Sequence, residues 1–228
     1  MTGEFKDLPE VRAKLKPTAI FVRHGSTKYD LPGDRNMIQG WMPGGLSKKG
    51  VAEAQAIGRT LRNFPIRVLY TSNLDRAEET AEVIASYHRG LKVKPTGILR
   101  CWHMGILEGT AKTLEIRKAI DILQNAWPGR KIHRGESFNQ FKARVLPAIK
   151  PILVEASESP EEGFVVAVVH SDVIRVIHAW VAAGSHGELL DKNTLSEALQ
   201  KTHVDPAEGV VLTPYRESYK ISRLKGTR

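Results

Sequence analysis

The sequence predicts an α/β fold with a largely parallel sheet, because short apolar segments alternate with longer segments of helical periodicity. Residues 18–22, 66–70 and 164–169 are apolar and partly β-branched, which is typical of buried strands. The chain has 228 residues, 41% hydrophobic and 26% charged, which is enough for a sizeable core. No internal repeat or convincing linker divides it, so we expect one domain over residues 1–228.

The first half of the chain predicts two strands, each followed by a helix, after a charged leader at residues 1–17. The strands are residues 18–22 and 66–70, and the second helix covers residues 75–87. Ser47 can cap the first helix. That helix carries apolar and small residues on one face: Val51, Ala54, Ile57, Gly58 and Leu61.

The second half continues the alternation, with a weaker strand at residues 93–100 and a strong one at 164–169. A helix over residues 113–127 has an apolar stripe of Ile116, Ile120, Leu123 and Trp127. A longer helix begins near Ser137, and its internal prolines, Pro147 and Pro151, should kink or interrupt it. A helix at 172–183 and closing strands at 209–213 and 219–224 complete the prediction.

Composition argues against a secreted or membrane protein. Residues 1–17 include acidic residues and no hydrophobic segment, and no apolar run approaches the roughly 18 residues of a membrane span. The single cysteine, Cys101, excludes an internal disulfide and a cysteine-based metal site. We therefore expect a cytoplasmic protein without membrane contact.

The net charge of +9 favours anionic ligands, since a positive field raises the encounter rate with phosphates. Nucleic acid is the rival interpretation. However, the basic residues are dispersed, and no dense basic helix or aromatic RNA motif is present. We expect a small phosphorylated substrate or inorganic phosphate, not nucleic acid. The sequence leaves the oligomeric state open.

Basic residues follow the predicted strands at three separate points. Arg23, His24 and Gly25 end the first strand, Arg76 lies just after the second, and His170 ends the strand at 164–169. Ligands bind at the carboxyl ends of strands in open α/β sheets, so these side chains are expected to converge. Each taken singly has an ordinary structural explanation, an exposed arginine or a core histidine, and the prediction depends on their joint occurrence.

The segments RHGST at 23–27, SNLDRA at 72–77, GES at 135–137 and VVH at 168–170 together resemble the histidine phosphatase superfamily, also called phosphoglycerate-mutase-like. The resemblance extends from about residue 18 to about residue 184. It implies a three-layer α/β/α sandwich around a largely parallel sheet, and catalysis through a phosphohistidine.

The resemblance also assigns roles. His24 would be the nucleophile, Arg23 and Arg76 guanidinium clamps for the phosphate, and His170 a donor to the transferring group. Two hydroxyls beside these positions are further candidate phosphate ligands, those of Thr27 and Ser171. No phosphate-binding glycine loop, zinc-protease motif or calcium loop is present, so the chemistry is expected to need neither a metal nor a cofactor.

The chain departs from the family pattern at the general acid. Leu99, Gly105 and Glu108 set the register, and the position where the family usually has glutamate holds Cys101. A thiol with an ordinary pKa near 8.5 is a poor substitute for a carboxylic acid. Three interpretations stay open: a leaving group that needs little protonation, another acid such as Asp172, or a site that binds phosphate with vestigial turnover. His103 and Glu108 are weaker candidates for the acid.

A second departure is Asp30, where the family often has asparagine. Its charge would oppose a phosphate if it pointed inward, although an apparent insertion around residues 32–35 could turn it away and Asn36 could substitute. Arg175 resembles a common family arginine but could equally face outward. We interpret Glu136 as a structural residue at a helix N-terminus.

The connection between Gly109 and Gly135, residues 110–134, is a short cap segment. The resemblance implies that mutases carry a longer cap, so the open pocket expected here favours a phosphatase. Ordinary packing is the leading explanation for three candidate wall residues, Trp41, Trp102 and Ile106. The sequence therefore predicts a phosphomonoester hydrolase, with a phosphoglycerate-type mutase and a non-catalytic phosphate-binding module as alternatives.

Overall fold

The computed structural model describes residues 19–30, 36–158, 163–185, 202–216 and 218–226. The predictions for the leader and for the insertion around residues 32–35 lie outside the described residues. Six strands form one sheet in the order β3-β2-β4-β1-β5-β6. The strands are β1 (Ala19–Arg23), β2 (Ile66–Ser72), β3 (Val93–Thr96), β4 (Phe164–Val169), β5 (Gly209–Tyr215) and β6 (Ser218–Leu224).

The sheet is largely parallel, as the alternation of strands and helices predicts. β1 pairs in parallel with β4, and β2 pairs in parallel with β4 and β3. The closing hairpin is antiparallel, with β5 against β1 and β6 against β5. Because β1 and β4 are parallel neighbours, Arg23 lies opposite Val169 and the two motifs that follow these strands emerge side by side.

The five described helices are α1 (Lys48–Leu61), α2 (Asp75–Ala85), α3 (Leu114–Asn125), α4 (Phe138–Glu158) and α5 (Ser171–Ala182). Ser47 caps α1 as predicted, its side chain accepting a hydrogen bond from Gly50 N. Thr113 caps α3 in the same way. Short 3-10 turns at Gly97–Leu99 and Gly105–Leu107 join β3 to the cap segment.

The two faces of the sheet bury separate cores, which makes the fold the predicted three-layer sandwich. Phe21 of β1 packs on the side of α4 and α5, whereas Ile20 and Val22 pack on the side of α1 and α2. This alternation is the two-residue period of a strand buried on both faces. The cores hold the strand ends in place and so position the loops that follow them.

Two local predictions are wrong. The helical periodicity places Val51 and Trp127 on buried faces, but they are 38% and 55% exposed. The predicted strand at residues 93–100 ends at Thr96, where a 3-10 turn begins. The helix α4 is not interrupted, since it continues through both internal prolines. Its buried stripe, which includes Val145, Ile149 and Ile152, outweighs the two backbone donors that the prolines lack.

Within the described residues, no helix has the length and apolar character needed to cross a membrane.

Candidate active site

A cavity of about 210 Å³ opens at the carboxyl ends of β1 and β4. His24 and His170 lie side by side in its wall, with ring centroids 5.0 Å apart. The arginines Arg23 and Arg76 line the same cavity. The four side chains predicted to converge therefore do so, although they come from three different parts of the chain.

His24 presents one ring nitrogen to the cavity as a free base. Its Nδ1 lies 2.8 Å from the Gly25 carbonyl oxygen, so Nδ1 carries the proton and donates it. The other nitrogen, Nε2, keeps its lone pair and lies 3.3 Å from Nε of Arg76. Burial, together with the charges of Arg76 and Arg23, holds the pKa of His24 well below its ordinary value. A neutral imidazole is the form that can act as a nucleophile.

Gly25 serves close packing, not an unusual backbone angle. A Cβ at Gly25 would lie 2.5 Å from the Gly50 carbonyl oxygen, and a Cβ at Gly50 would lie 1.9 Å from the Ser26 carbonyl oxygen. The two glycines let the start of α1 press against the loop after β1. That contact holds His24 at the carboxyl end of β1.

Arg76 is buried at the base of the cavity, 2% exposed. Its Nη2 donates to the Gly40 carbonyl at 2.7 Å, and its Nη1 lies 3.4 Å from the Met42 carbonyl. These contacts orient the guanidinium, whose Nε–H donates to His24. A guanidinium oriented in this way is suited to phosphoryl oxygens as well as to the imidazole lone pair.

Arg23 and Asp30 lie together on another side of the cavity. Arg23 Nη1 donates to the Val204 carbonyl at 2.9 Å, Nη2 lies 3.7 Å from Asp30 Oδ1, and Nε has no partner among the described residues. Asp30 therefore faces inward and is not turned away. Thr27, a predicted phosphate ligand, is not among the cavity-lining residues, because its hydroxyl donates to Asp30 Oδ2 at 2.9 Å.

His170 and Ser171 join the cavity at the junction of β4 and α5. His170 Nε2 lies 2.8 Å from Ser72 Oγ, at the end of β2, while its Nδ1 is buried without a partner in the described structure. Burial, then the charge of Arg76, lowers the pKa of His170 well below its ordinary value. An unsatisfied ring nitrogen beside His24 is available to a bound phosphoryl group.

Asp172 and Cys101, the two candidate proton donors, both line the cavity. The Asp172 carboxyl is buried and accepts from Trp102 N at 2.7 Å and from Val173 N at 2.9 Å. Burial raises its pKa in spite of those hydrogen bonds. The Cys101 thiol donates to the Gly40 carbonyl at 2.9 Å, and burial raises its pKa well above the ordinary value.

This geometry coincides with a family match along nearly the whole described chain. The sequence pattern of the histidine phosphatase superfamily (branch 1) matches residues 19–224. The chain belongs to the histidine phosphatase superfamily.

Relatives of this chain include both a phosphatase and mutases. A metal-independent phosphoserine phosphatase of Arabidopsis thaliana is 32% identical over 200 residues, which cover 82% of this chain and 79% of the relative. A 2,3-bisphosphoglycerate-dependent phosphoglycerate mutase of Protochlamydia amoebophila is 39% identical over 74 residues, which cover 32% of this chain and 31% of the mutase.

Solved structures share the fold. The mycobacterial glucosyl-3-phosphoglycerate phosphatase in complex with VO3 superimposes with a TM-score of 0.69 at 23% identity, covering 91% of this chain and 97% of that one. Bacillus stearothermophilus YhfR has a TM-score of 0.70 at 25% identity, covering 90% and 94%. These similarities confirm the predicted fold class.

A hydrogen-bond network outside the cavity holds the segment that carries Cys101 and Trp102. Arg144 donates to the Arg100 and Cys101 carbonyls at 3.0 Å and to Glu136 Oε1 at 2.6 Å. Glu136 in turn accepts from His103 N at 3.0 Å. The prediction that Glu136 is structural agrees with these contacts, but the partner is Arg144 and not only a helix N-terminus.

Some of the remaining candidate residues line the cavity, and the others lie outside it. Trp102 and Arg175 line the cavity, whereas Trp41 and Ile106 do not, and Ile106 is 56% exposed. His103 stacks on Trp41 with ring centroids 4.2 Å apart. Glu108 Oε1 accepts from Trp41 N and Met104 N, so it is already engaged with the backbone.

Three polar residues at the cavity were missed by sequence reasoning. Ser72 contacts His170, and Lys112 and Gln124 line the cavity from the cap segment. Ser72 stands in the SNLDRA segment, whose position could have indicated it. Lys112 and Gln124 lack any such indication, because only the tertiary placement of the cap segment, whose Ile116, Ile120 and Leu123 pack against the core, brings them to the cavity.

Proposed function

We propose that this chain is a phosphatase that hydrolyses phosphomonoesters through a phosphohistidine on His24. The observation that carries the proposal is the tautomer of His24, with Nδ1 donating to the Gly25 carbonyl and Nε2 unprotonated at the cavity beside Arg76. A phosphoryl group bound by guanidinium donors would place its phosphorus in front of that lone pair.

In the first step, the Nε2 lone pair forms a bond to phosphorus while the phosphorus–oxygen bond to the alcohol breaks. The electron pair of that bond goes to the leaving oxygen. Arg23 and Arg76 neutralise the phosphoryl oxygens, each charge-assisted hydrogen bond contributing roughly 1.5–3 kcal/mol. His170 can donate to the same group from its unpartnered Nδ1 in the neutral tautomer whose Nε2 accepts from Ser72 Oγ.

In the second step, water attacks phosphorus, the phosphorus–nitrogen bond breaks, and its electron pair returns to Nε2. Inorganic phosphate leaves and the neutral imidazole is restored. No step requires a metal ion or cofactor, because the positive charge around the phosphoryl oxygens comes from guanidinium groups.

Asp172 is the proton donor that the geometry favours over Cys101. Because its pKa is raised, the Asp172 carboxyl stays protonated to a higher pH than an ordinary aspartic acid does. It can therefore protonate the leaving oxygen and later accept a proton from water. The Cys101 thiol already donates to Gly40 and its pKa is raised far from working pH. In the proposed reaction, Cys101 therefore stands at the position of the family's general acid but does not donate a proton.

The cap supports a phosphatase over a mutase. The 25 residues between Gly109 and Gly135 contain a single helix, α3, and the cavity of about 210 Å³ suits a compact phosphorylated molecule. Phosphoserine is the first natural substrate to test, because the Arabidopsis relative bears the name of a phosphoserine phosphatase.

The test is phosphate release from a chromogenic aryl phosphate and from phosphoserine by the wild type and by His24→Ala. We expect release by the wild type and a loss on the order of 10⁴-fold or more in the variant, as for removal of a nucleophile. Acid-labile, base-stable phosphate on the quenched wild-type protein would identify the phosphohistidine. Phosphate binding without release would support the binding module, and sugar-acid phosphate isomerisation with a bisphosphate primer would support the mutase.

A further inference from the structure

A carboxylate lies in the phosphate site itself. Asp30 lines the cavity together with Arg23, His24 and Arg76, and its Oδ1 is 3.7 Å from Arg23 Nη2. Its Oδ2 accepts three hydrogen bonds, from Thr27 N at 2.8 Å, Thr27 Oγ1 at 2.9 Å and Gln39 Nε2 at 3.1 Å. Asp30 thus accepts the hydrogen bonds of donors in the loop after β1, and these donors are then not available to a phosphate.

The neighbouring carboxylate Glu53 shows what a purely structural acid looks like in this loop. Glu53 accepts from Ser26 N at 2.7 Å and from Ser26 Oγ at 3.0 Å, which is the same pattern that Asp30 makes with Thr27. Glu53 does not line the cavity, whereas Asp30 does. Both carboxylates therefore hold the loop through similar hydrogen bonds, but only Asp30 adds negative charge to the site.

We propose that Asp30 is a specificity-determining residue that weakens binding of the doubly charged phosphoryl group and so favours its singly charged form. This inference rests on the proposed function, because it assigns the charge selectivity of the same site. An anion beside Arg23 repels each phosphoryl charge, and the repulsion grows with the number of charges on the ligand. The same effect speeds release of product phosphate.

The charge on Asp30 is stable under working conditions. Burial alone would raise its pKa, but the hydrogen bonds from Thr27 N and Oγ1 and the charge of Arg23 outweigh burial and lower the pKa. The other ionisable groups that act on Asp30 or on Arg23 come from β1 and the loop after it, α1, the cap segment, α5 and the loop before β5: Arg23, His24, Glu53, Lys112, Asp172 and Asp205.

The experiment compares Asp30→Asn with the wild type and with Glu53→Gln as the matched control. Asparagine keeps an oxygen for the Thr27 donors, so the loop is retained while the charge is removed. Inorganic phosphate binding is measured by calorimetry at about pH 5 and about pH 8, on either side of the second phosphate ionisation near 6 in phosphomonoesters. Binding needs no turnover, so it is independent of the hydrolysis assay.

We expect Asp30→Asn to bind phosphate about tenfold or more tightly at the higher pH, a difference of ~1.4 kcal/mol, with a smaller gain at the lower pH. In hydrolysis, its kcat/KM should decline less steeply with rising pH than that of the wild type, and Glu53→Gln should follow the wild type. Unchanged or weaker phosphate binding by Asp30→Asn at both pH values would overturn the inference while leaving the phosphatase proposal in place. Absence of phosphate binding by all three proteins would overturn both.

Discussion

Nε of Arg76 lies 3.3 Å from the unprotonated Nε2 of His24. The guanidinium therefore donates a hydrogen bond to the lone pair that attacks phosphorus in the proposed reaction. This contact keeps the imidazole neutral, since the positive charge of Arg76 lowers the pKa of His24 after burial has already done so. When phosphate binds, the same N–H is placed to donate to a phosphoryl oxygen. In the proposed reaction, one residue thus prepares the nucleophile and binds the substrate.

Replacing Arg76 with lysine should reduce kcat/KM for an aryl phosphate on the order of 10²- to 10³-fold, as for loss of an oriented transition-state donor. Lysine keeps the charge but lacks the planar fork that contacts His24, Gly40 and Met42. Arg67→Lys is the control, because Arg67 pairs with Glu155 away from the cavity. Equal losses in the two variants would indicate a general effect on folding.

Substitutions of Cys101 test whether its thiol transfers a proton and whether a carboxylic acid at the same position would do so. Cys101→Ala should change hydrolysis only a few-fold, because the thiol donates to Gly40 and its raised pKa leaves it without a proton-transfer role. In the Asp172→Asn background, Cys101→Glu should raise the turnover of alkyl phosphates by on the order of tenfold or more, since general acids contribute 10² to 10⁴. An unchanged or lower rate in that double variant would count against this account of the acid position.

Asp172→Asn should slow alkyl phosphate hydrolysis by on the order of 10²- to 10⁴-fold and aryl phosphate hydrolysis far less, because a phenolate leaves without a proton. The acid must be protonated to act, so wild-type activity on alkyl esters should fall as pH rises through the raised pKa of Asp172. That alkaline decline should be shallower in Asp172→Asn, which keeps only the part caused by the second ionisation of the phosphoryl group beside Asp30. Equal losses for both ester classes would point to a structural role, through the hydrogen bond from Trp102 N.

The two buried histidines predict a loss of stability in mild acid. Their folded-state pKa values lie well below the ordinary 6.5, so the unfolded chain binds protons that the folded protein does not. The stabilisation is complete above about pH 6.5 and is lost as pH falls below it, with a slope approaching about 1.4 kcal/mol per pH unit for each imidazole. Urea unfolding at a series of pH values measures the slope, which should be lower in His170→Gln by up to about 1.4 kcal/mol per pH unit, the share of one imidazole. A slope that the substitution leaves unchanged would contradict the prediction.

Gly50→Ala should destabilise the fold by about 1–3 kcal/mol and reduce hydrolysis as well, because its Cβ would lie 1.9 Å from the Ser26 carbonyl oxygen. Movement of that carbonyl displaces the loop that carries His24. Gly129→Ala is the matched control, since the nearest atom to its Cβ would be Asn139 Nδ2 at an ordinary 3.8 Å. Thermal unfolding and kcat together test the prediction, and a Gly50→Ala protein of wild-type stability and activity would refute it.

Local features of the fold were predictable because they depend on neighbouring residues. The apolar run at Phe164–Val169 forms the central strand β4, and Ser47 caps α1 through a hydrogen bond to Gly50 N only three residues away. Trp127 was misplaced because α3 ends at Asn125, two residues before it, whereas Ile116, Ile120 and Leu123 of the same stripe pack against the core.

The sequence by itself determined that strands alternate with helices and that Arg23, His24, Arg76 and His170 follow strand ends. Tertiary structure alone decided which protons and charges those groups carry. Parallel pairing of β1 with β4 brought His24 and His170 within 5.0 Å, and burial beside the arginines made both imidazoles neutral. It also turned Asp30 into the cavity, where it accepts from Thr27 and lies beside Arg23. Burial and through-space charge depend on residues distant in the chain, so no local pattern can record them.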